Sequence, residues 1–504
     1  MVCTMTTRLL GFVRGLIIAA LFGTTWQADI LNAVFAIPNN FRKLMAEGAL
    51  SSAFIPVFSE TTVKDPTHKL SQELANNIFS FQLIILLPIL ILSAIFSKEI
   101  IYFLLEFKED EYVILAADLF RYLIFYLLFV SISAILMGIL NSHNMFVIPA
   151  LTPLFFSIAV ISSLLLLYRS LGIFAMAVGV LSGGLLQVVF QIPFFKRLGY
   201  GYRFKLDWSN PRFRRVLKLW FPVVATSSIF AVNHIIAVRF ATGLSEGSVT
   251  ALSYAIIFWQ LPFGIFSASI TTVLFPRMSR QAAENNLKGL SESVSYGLRF
   301  LFVVLIPATV FFILSGSLLI RVAYQRGAFT LADAILTANV LVGYSLGLFC
   351  VGGFNFLQRF FYAAKDYITP IWIAGVVTVV DVAFSLWLKE TPLGVIGLAL
   401  ANSIAFSLGI VLMLAFTKKR LDKIGGYKII ATVIRVAISL VPATAILYFF
   451  NWQTKRYLTE YNSLINLLVL LGGFFLFVLL VLVFYYISKI EILRDIISGR
   501  FRQK

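Results

Sequence analysis

The sequence predicts an all-α polytopic membrane protein of about fourteen transmembrane helices, built as two pseudo-symmetric six-helix lobes followed by two extra C-terminal helices. Three observations predict it. Of the 504 residues 60% are hydrophobic and only 13% charged, where soluble domains carry roughly 25% charged residues. Apolar runs recur along the whole chain at about the 20-residue length that crosses a bilayer. Finally, three proline-bearing landmarks repeat in the same order at a nearly constant spacing.

The expected spans run in order as follows. The first, 6–22, carries Arg8 and Arg14 and leads straight into a second apolar run, so it reads as a first span rather than a cleaved signal peptide. The second, 29–55, is interrupted by Pro38 and Asn39. Four runs follow at 78–96, 113–140, 147–168 and 172–195. After a basic stretch come 216–243, 250–275, 299–320, 334–361, 367–388 and 393–417, and the series closes with 428–450 and 463–488. The connections alternate in charge. KRLGYGYRFKLDWSNPRFRRVLK (196–218), PRMSRQAAENNLKG (276–289), TKKRLDKIGGYK (417–428) and the C-terminal tail are rich in Lys and Arg, whereas GTTWQA (23–28) and GLSEGSVT (243–250) have none. Lys and Arg accumulate on cytoplasmic loops, so both termini are expected in the cytoplasm, in agreement with an even number of spans.

The internal repeat pairs SAFIPVFSE (52–60) with TVLFPRMSR (272–280), Pro38 with Pro262, and NSHNMFVIPA (141–150) with YAAKDYITPI (362–371), at offsets of 220, 224 and 221 residues. Six spans per repeat return the chain to its starting side, which makes the halves parallel repeats about an axis along the membrane normal. The expected organisation is an N-lobe over 1–195, a basic cytoplasmic linker over 196–218, a C-lobe over 219–417, and helices 13 and 14 with a basic tail over 418–504. Two lobes about a cleft is a transporter architecture.

The net charge of +18 is the ordinary consequence of basic cytoplasmic loops and does not call for nucleic acid. Cys3 and Cys350 supply no disulfide framework, and three histidines without a Cys/His cluster make a metal or other cofactor unexpected.

The informative residues are charges that lipid does not tolerate. An arginine near the bilayer centre costs at least about 2.5–3.5 kcal/mol and cannot shed its proton. At a rise of about 1.5 Å per residue, Arg14 lies roughly 13 Å and Arg8 roughly 22 Å below the outer end of the first span, and Arg42 lies roughly 20 Å down the second. Lys43 and Glu47 follow Arg42, and Asp29 starts the second span. The set has more cations than anions, which suggests a missing anionic partner, and the guanidinium fork matches phosphate. Arg239 lies near the outer third of the seventh span, with Asn233 and His234 deeper on it. Asp118 and Arg121 are spaced to pair on one helix face. Asp381 and Arg435 are isolated, and Asp381 and Glu47 are candidate ion or proton sites.

The stretch TTRLLGFVRGLIIAALFGTTWQADILNAVFAIPNNFRKLMAEGALSSAFIPVFSE (6–60) resembles the opening signature of the MurJ (MviN) lipid II flippases, members of the multidrug/oligosaccharidyl-lipid/polysaccharide exporter superfamily. The resemblance continues through ILNSHNMFVIPALTP (139–153), WQLPFGIFSASITTVLFPRMS (259–279), RGAFT (326–330) and LQRFFYAAKDYITPIWIA (357–374) and covers essentially the whole chain. It implies a fourteen-helix fold with a lipid-tail groove formed with helices 13 and 14. The implied substrate is lipid II, undecaprenyl-pyrophosphate carrying the peptidoglycan disaccharide-pentapeptide. The implied location is the bacterial inner membrane, and the implied action is transport rather than catalysis. The family's cavity arginines fall on Arg8, Arg14 and Arg42, and its acids on Asp29 and Glu47. Two positions depart from the pattern. Gly15 stands where the family often has Asp, and Ile257 stands where it commonly has a helix-8 arginine. Arg239 is the candidate to replace that charge. Membrane lipids are expected partners, other cell-wall synthesis proteins are possible ones, and the chain is expected to act as a monomer.

Two other readings stay open on the residues alone. One is an exporter of a different lipid-linked oligosaccharide or a drug/cation antiporter of the same superfamily; an antiporter of cations should line its cleft with acids, and this N-lobe is net basic. The other is a membrane glycosyltransferase, for which KEDEY (108–112) is the sole acidic candidate.

Overall fold

The computed structural model describes residues 2–42, 49–65, 67–421, 424–458 and 463–497. Among these there is no β-strand. The helices are α1 (Val2–Phe22), α2 (Trp26–Arg42), α3 (Ala49–Lys64), α4 (Lys69–Ile95), α5 (Ser97–Leu104), α6 (Asp110–Leu123), α7 (Tyr126–Ser142), α8 (Val147–Leu171), α9 (Phe174–Arg197) and α10 (Pro211–Thr242). The second half contributes α11 (Ser248–Pro262), α12 (Ala268–Ala283), α13 (Leu287–Tyr324), α14 (Leu331–Leu346), α15 (Leu348–Ala363), α16 (Ile368–Lys389), α17 (Val395–Leu421), α18 (Gly426–Thr454), α19 (Ser463–Ile487) and α20 (Glu491–Ile497).

Among the described residues ten helices are long and apolar enough to cross a membrane, and the bent pair α14–α15 makes eleven. The three other expected spans, on α1, on α2 with α3, and on α10, each include residues outside the described ones and are not among these eleven. Pro38 does not end α2, which continues to Arg42; prolines are tolerated in membrane helices where neighbours satisfy the freed backbone groups.

Local chemistry sets several ends. The Asn210 side chain accepts from the N–H groups of Arg212 and Phe213, with Pro211 at the first helical position of α10. Thr330 and Asp333 form a reciprocal capping box at the start of α14. Asp118 and Arg121 pair at 3.4 Å on α6, as their spacing predicts.

The chain divides into two compact units, Met1–Val249 and Thr250–Lys504. Helix α10 packs along α2 and α3 within the first unit; Asn40 Nδ2 lies 3.0 Å from His234 Nδ1 across that contact.

In the first unit α9 approaches α8 and α7 through glycines. A Cβ on Gly183 would lie 3.0 Å from Phe156 Cδ2, and one on Gly184 would lie 3.0 Å from Tyr126 Cδ2, so small residues let the backbones come close. At one end Tyr200, in the linker, lies 3.0 Å from Ser71 Oγ and 3.3 Å from both His68 Nδ1 and His143 Nε2. Backbone N–H groups of Arg203, Lys205 and Asp207 donate to Asn76, Ser80 and Asn77 of α4, which pins the linker to that helix.

In the second unit α14 and α15 meet at 44° about Gly347. A Cβ there would lie 2.7 Å from Ser403 Cα. The carbonyls freed at the bend are taken by side chains: Ser403 Oγ donates to Gly343 O at 2.6 Å, Trp259 Nε1 to Tyr344 O at 3.0 Å and Thr309 Oγ1 to Ser345 O at 2.8 Å.

Candidate functional site

Within the first unit α1, α2, α7, α8 and α9 enclose a cavity of about 470 Å³. Arg14 of α1 and Arg42 of α2 both line it. The Arg14 guanidinium sits 5.0 Å over the ring of Phe156 on α8, a cation–π contact worth about 0.5–1 kcal/mol at an exposed site and more when desolvated. Among the described residues Arg14 has no carboxylate partner. Arg42 Nε donates to Asn39 Oδ1 at 3.1 Å, one turn back on α2. Tyr126, Ser133, Asn141, Ser157 and Gln187 give the wall further polar groups. Gln187 is buried, and its Oε1 has no hydrogen-bond donor among the described residues. The wall is thus cationic and polar at a depth where unpaired polarity is costly, which suits an anionic, hydrogen-bonding guest.

The structure brings together only part of the residue set expected from sequence. Arg8 lies on α1, six residues before Arg14, with its side chain outside the described residues, and Lys43 and Glu47 lie outside them altogether. Asp29 is buried at the start of α2, where its Oδ2 accepts the N–H of Gly247 at 2.8 Å. Next to it Trp26 N–H donates to Glu246 Oε1 at 2.6 Å and the Trp26 ring stacks on Tyr112. Arg239 does not line the cavity: its Nε donates to Glu106 Oε1 at 3.0 Å and its Nη1 donates to Phe103 O. Its charge is therefore compensated within the first unit. In the second unit Asp381 is buried on α16, accepting from Asn402 Nδ2 at 3.1 Å and standing 3.5 Å from Ser385 Oγ. Among the described residues no group of three or more His, Cys, Asp or Glu side chains is arranged to hold a metal ion. Sequence reasoning missed Phe156, Tyr126 and Gln187; an aromatic among fifty phenylalanines carries no signal of its own.

The family model described as lipid II flippase MurJ matches residues 18–469. The chain belongs to the MurJ lipid II flippase family. A probable lipid II flippase MurJ from Borreliella burgdorferi is 34% identical over 453 residues, covering 90% of this chain and 88% of that protein. One from Rickettsia prowazekii is 29% identical over 481 residues, 93% of each. A solved lipid II flippase MurJ in an inward closed conformation superposes with a TM-score of 0.76 at 28% identity, over 96% of this chain and 98% of that one. A multidrug resistance MATE transporter of the MOP superfamily, inward-facing, gives a TM-score of 0.69 at 14% identity over 82% and 94% of the two chains, a likeness of fold alone. MurJ family membership and ten or more apolar helices make this a multi-pass membrane protein of a transport family.

Proposed function

We propose that the chain is a lipid II flippase of the bacterial cytoplasmic membrane. It moves undecaprenyl-pyrophosphate-linked disaccharide-pentapeptide from the inner to the outer leaflet by alternating access, without catalysing a covalent change. The observation that carries this reading is Arg14: a guanidinium on a cavity wall, laid over Phe156, with no carboxylate partner among the described residues. A diphosphate cannot enter hydrocarbon bare because desolvating its charge costs too much. Arg14 and Arg42 replace that hydration with charge-assisted hydrogen bonds, and the polyprenyl tail stays in lipid. Arg8, six residues before Arg14 in the sequence, and Glu47 complete the set of charges assigned to the substrate. Asp29 and Arg239 act by holding their helix ends rather than by touching the head group. Asp381, with Asn402 and Ser385 around it, is an ion or proton site. Both termini face the cytoplasm, as the basic loops favour. A negative-inside potential then drives the anionic head group outward by about 2.3 kcal/mol per charge per 100 mV if the whole potential is crossed. The chain acts as a monomer alongside other cell-wall synthesis proteins, and residues 1–195 and 219–417 are the lobes that rock.

The test is complementation of a flippase-depleted bacterium, scoring lipid II on the outer leaflet. Wild type restores it. Arg14→Ala and Arg42→Ala each reduce it by about tenfold or more, the loss of one charge-assisted interaction of about 1.5–3 kcal/mol. Full activity with both alanines present removes the site assignment.

A further inference from the structure

The second unit contains a larger cavity, about 1920 Å³, that shares no residue with the Arg14–Arg42 cavity. Its walls come from α12, the first turns of α13, the end of α17, the start of α18 and Glu491 of α20. Six Lys or Arg residues line it against three Glu, so the enclosed space is net positive.

Two of its residues are built in rather than borrowed from the surface. Arg299 on α13 is only 6% exposed; its Nη1 lies 2.7 Å from Glu491 Oε2. Glu491 is half exposed, so the buried member of the pair is the cation. Ser295, one turn earlier, is 4% exposed, and its hydroxyl has no hydrogen-bond partner among the described residues. Gly425, in a left-handed conformation at φ +69°, lies against it. A buried hydroxyl left unsatisfied is a cost that a guest can remove. Lys418 and Lys428, at the ends of α17 and α18, make no side-chain hydrogen bond or ion pair among the described residues. Starting at the cavity wall with Tyr427 and Ile430, an exposed apolar stripe runs along α18 through Ile434, Ile438 and Val441.

We propose that this cavity binds a phosphate-bearing anion, held by Arg277, Arg299, Lys418 and Lys428 with Ser295 as a hydroxyl donor. The guanidinium forks match phosphate oxygens, and the lysines act as point charges around them. Two sources carry this chemistry. One is the headgroup of an anionic phospholipid, its chains lying along the α18 stripe; the other is a soluble phosphate. The site stands whether or not the first cavity carries lipid II.

The test uses the full chain in nanodiscs. In one arm, phosphatidylglycerol is added to phosphatidylcholine discs and the lipids retained on the protein are counted by native mass spectrometry. In the other, inorganic pyrophosphate is titrated into phosphatidylcholine discs and followed by thermal shift. The wild type responds to at least one probe, and the one it responds to names the source. Lys418→Ala with Lys428→Ala, both on the surface, weakens that response by about tenfold, as loss of charged hydrogen bonds does. Ser295→Val weakens it with the lysines intact, and Arg203→Ala, an exposed cation of the first unit, leaves it unchanged. The proposal is overturned if wild type responds to neither probe, if the double variant responds like wild type, or if Arg203→Ala lowers the response as much as the double variant does.

Discussion

Asp29 Oδ2 accepts the backbone N–H of Gly247 at 2.8 Å, joining the first turn of α2 to the loop after α10 across 218 residues of sequence. Gly247 sits at φ +87°, and a Cβ on it would lie 2.9 Å from Thr24 Oγ1, so the loop needs glycine there on both counts. Removing a buried acceptor leaves a donor stranded at about 1–3 kcal/mol. Asp29→Ala is expected to lower the melting temperature of the purified protein, with Asp29→Asn in between. An Asp29→Ala protein as stable as wild type argues against this tie.

Arg14 differs from Arg239 in lying over an aromatic ring instead of pairing with an acid. If its role is to bind, Arg14→Ala should reduce transport by about tenfold or more while the melting temperature falls by little, the equivalent of about 1 kcal/mol for the ring contact. A large fall in stability together with lost transport would assign Arg14 to structure.

Gly183 holds Phe156 in place from the opposite helix. Gly183→Leu forces the α8–α9 contact apart, an overpacking cost of about 1–3 kcal/mol. It also displaces the ring that Arg14 lies over. Both thermal stability and transport are expected to fall, and a wild-type melting temperature would contradict the close approach.

The Tyr200 hydroxyl is the meeting point of His68, His143 and Ser71. Tyr200→Phe removes it at about 1 kcal/mol. Faster hydrogen exchange at residues 201–207 is the expected readout, with exchange in α13 unchanged.

Asp366 lies in the turn between α15 and α16. Burial pushes its carboxyl up, but the N–H and hydroxyl of Thr369 and the Arg420 guanidinium at 2.9 Å outweigh it and hold the pKa below its usual value. A depressed carboxylate contributes stability that is present above the unfolded value, about 3.9, and lost as pH falls through the folded one. Melting temperature should therefore drop on acidification below about pH 4, and Asp366→Asn should flatten that part of the profile. Equal slopes in both proteins would exclude the tie.

The helical architecture was legible because lipid imposes one strong rule, that every backbone group be satisfied within the segment. Arg14 and Arg42 were legible for the complementary reason: a permanent cation in an apolar run needs an explanation. Arg239 looked equally exceptional, yet its partner Glu106 lies 133 residues away, and no local spacing announces such a pair. The same holds for Asp29 and the Gly247 N–H. Pro38 suggested a break in the second span, but α2 runs through it to Arg42. Grouping α10 with the first half depends on packing against α2 and α3, which the charge pattern of the linker does not encode.

The corner at Gly347 hands its spare carbonyls to donors on three separate helices, Trp259 on α11, Thr309 on α13 and Ser403 on α17. Straightening the span would reclaim those oxygens for the helix ladder, taking its acceptor from the Trp259 N–H and leaving Thr309 with only the Leu305 carbonyl of its own helix. The angle is therefore held from three neighbouring helices at once, and moving α15 against α14 costs a contact to each of them.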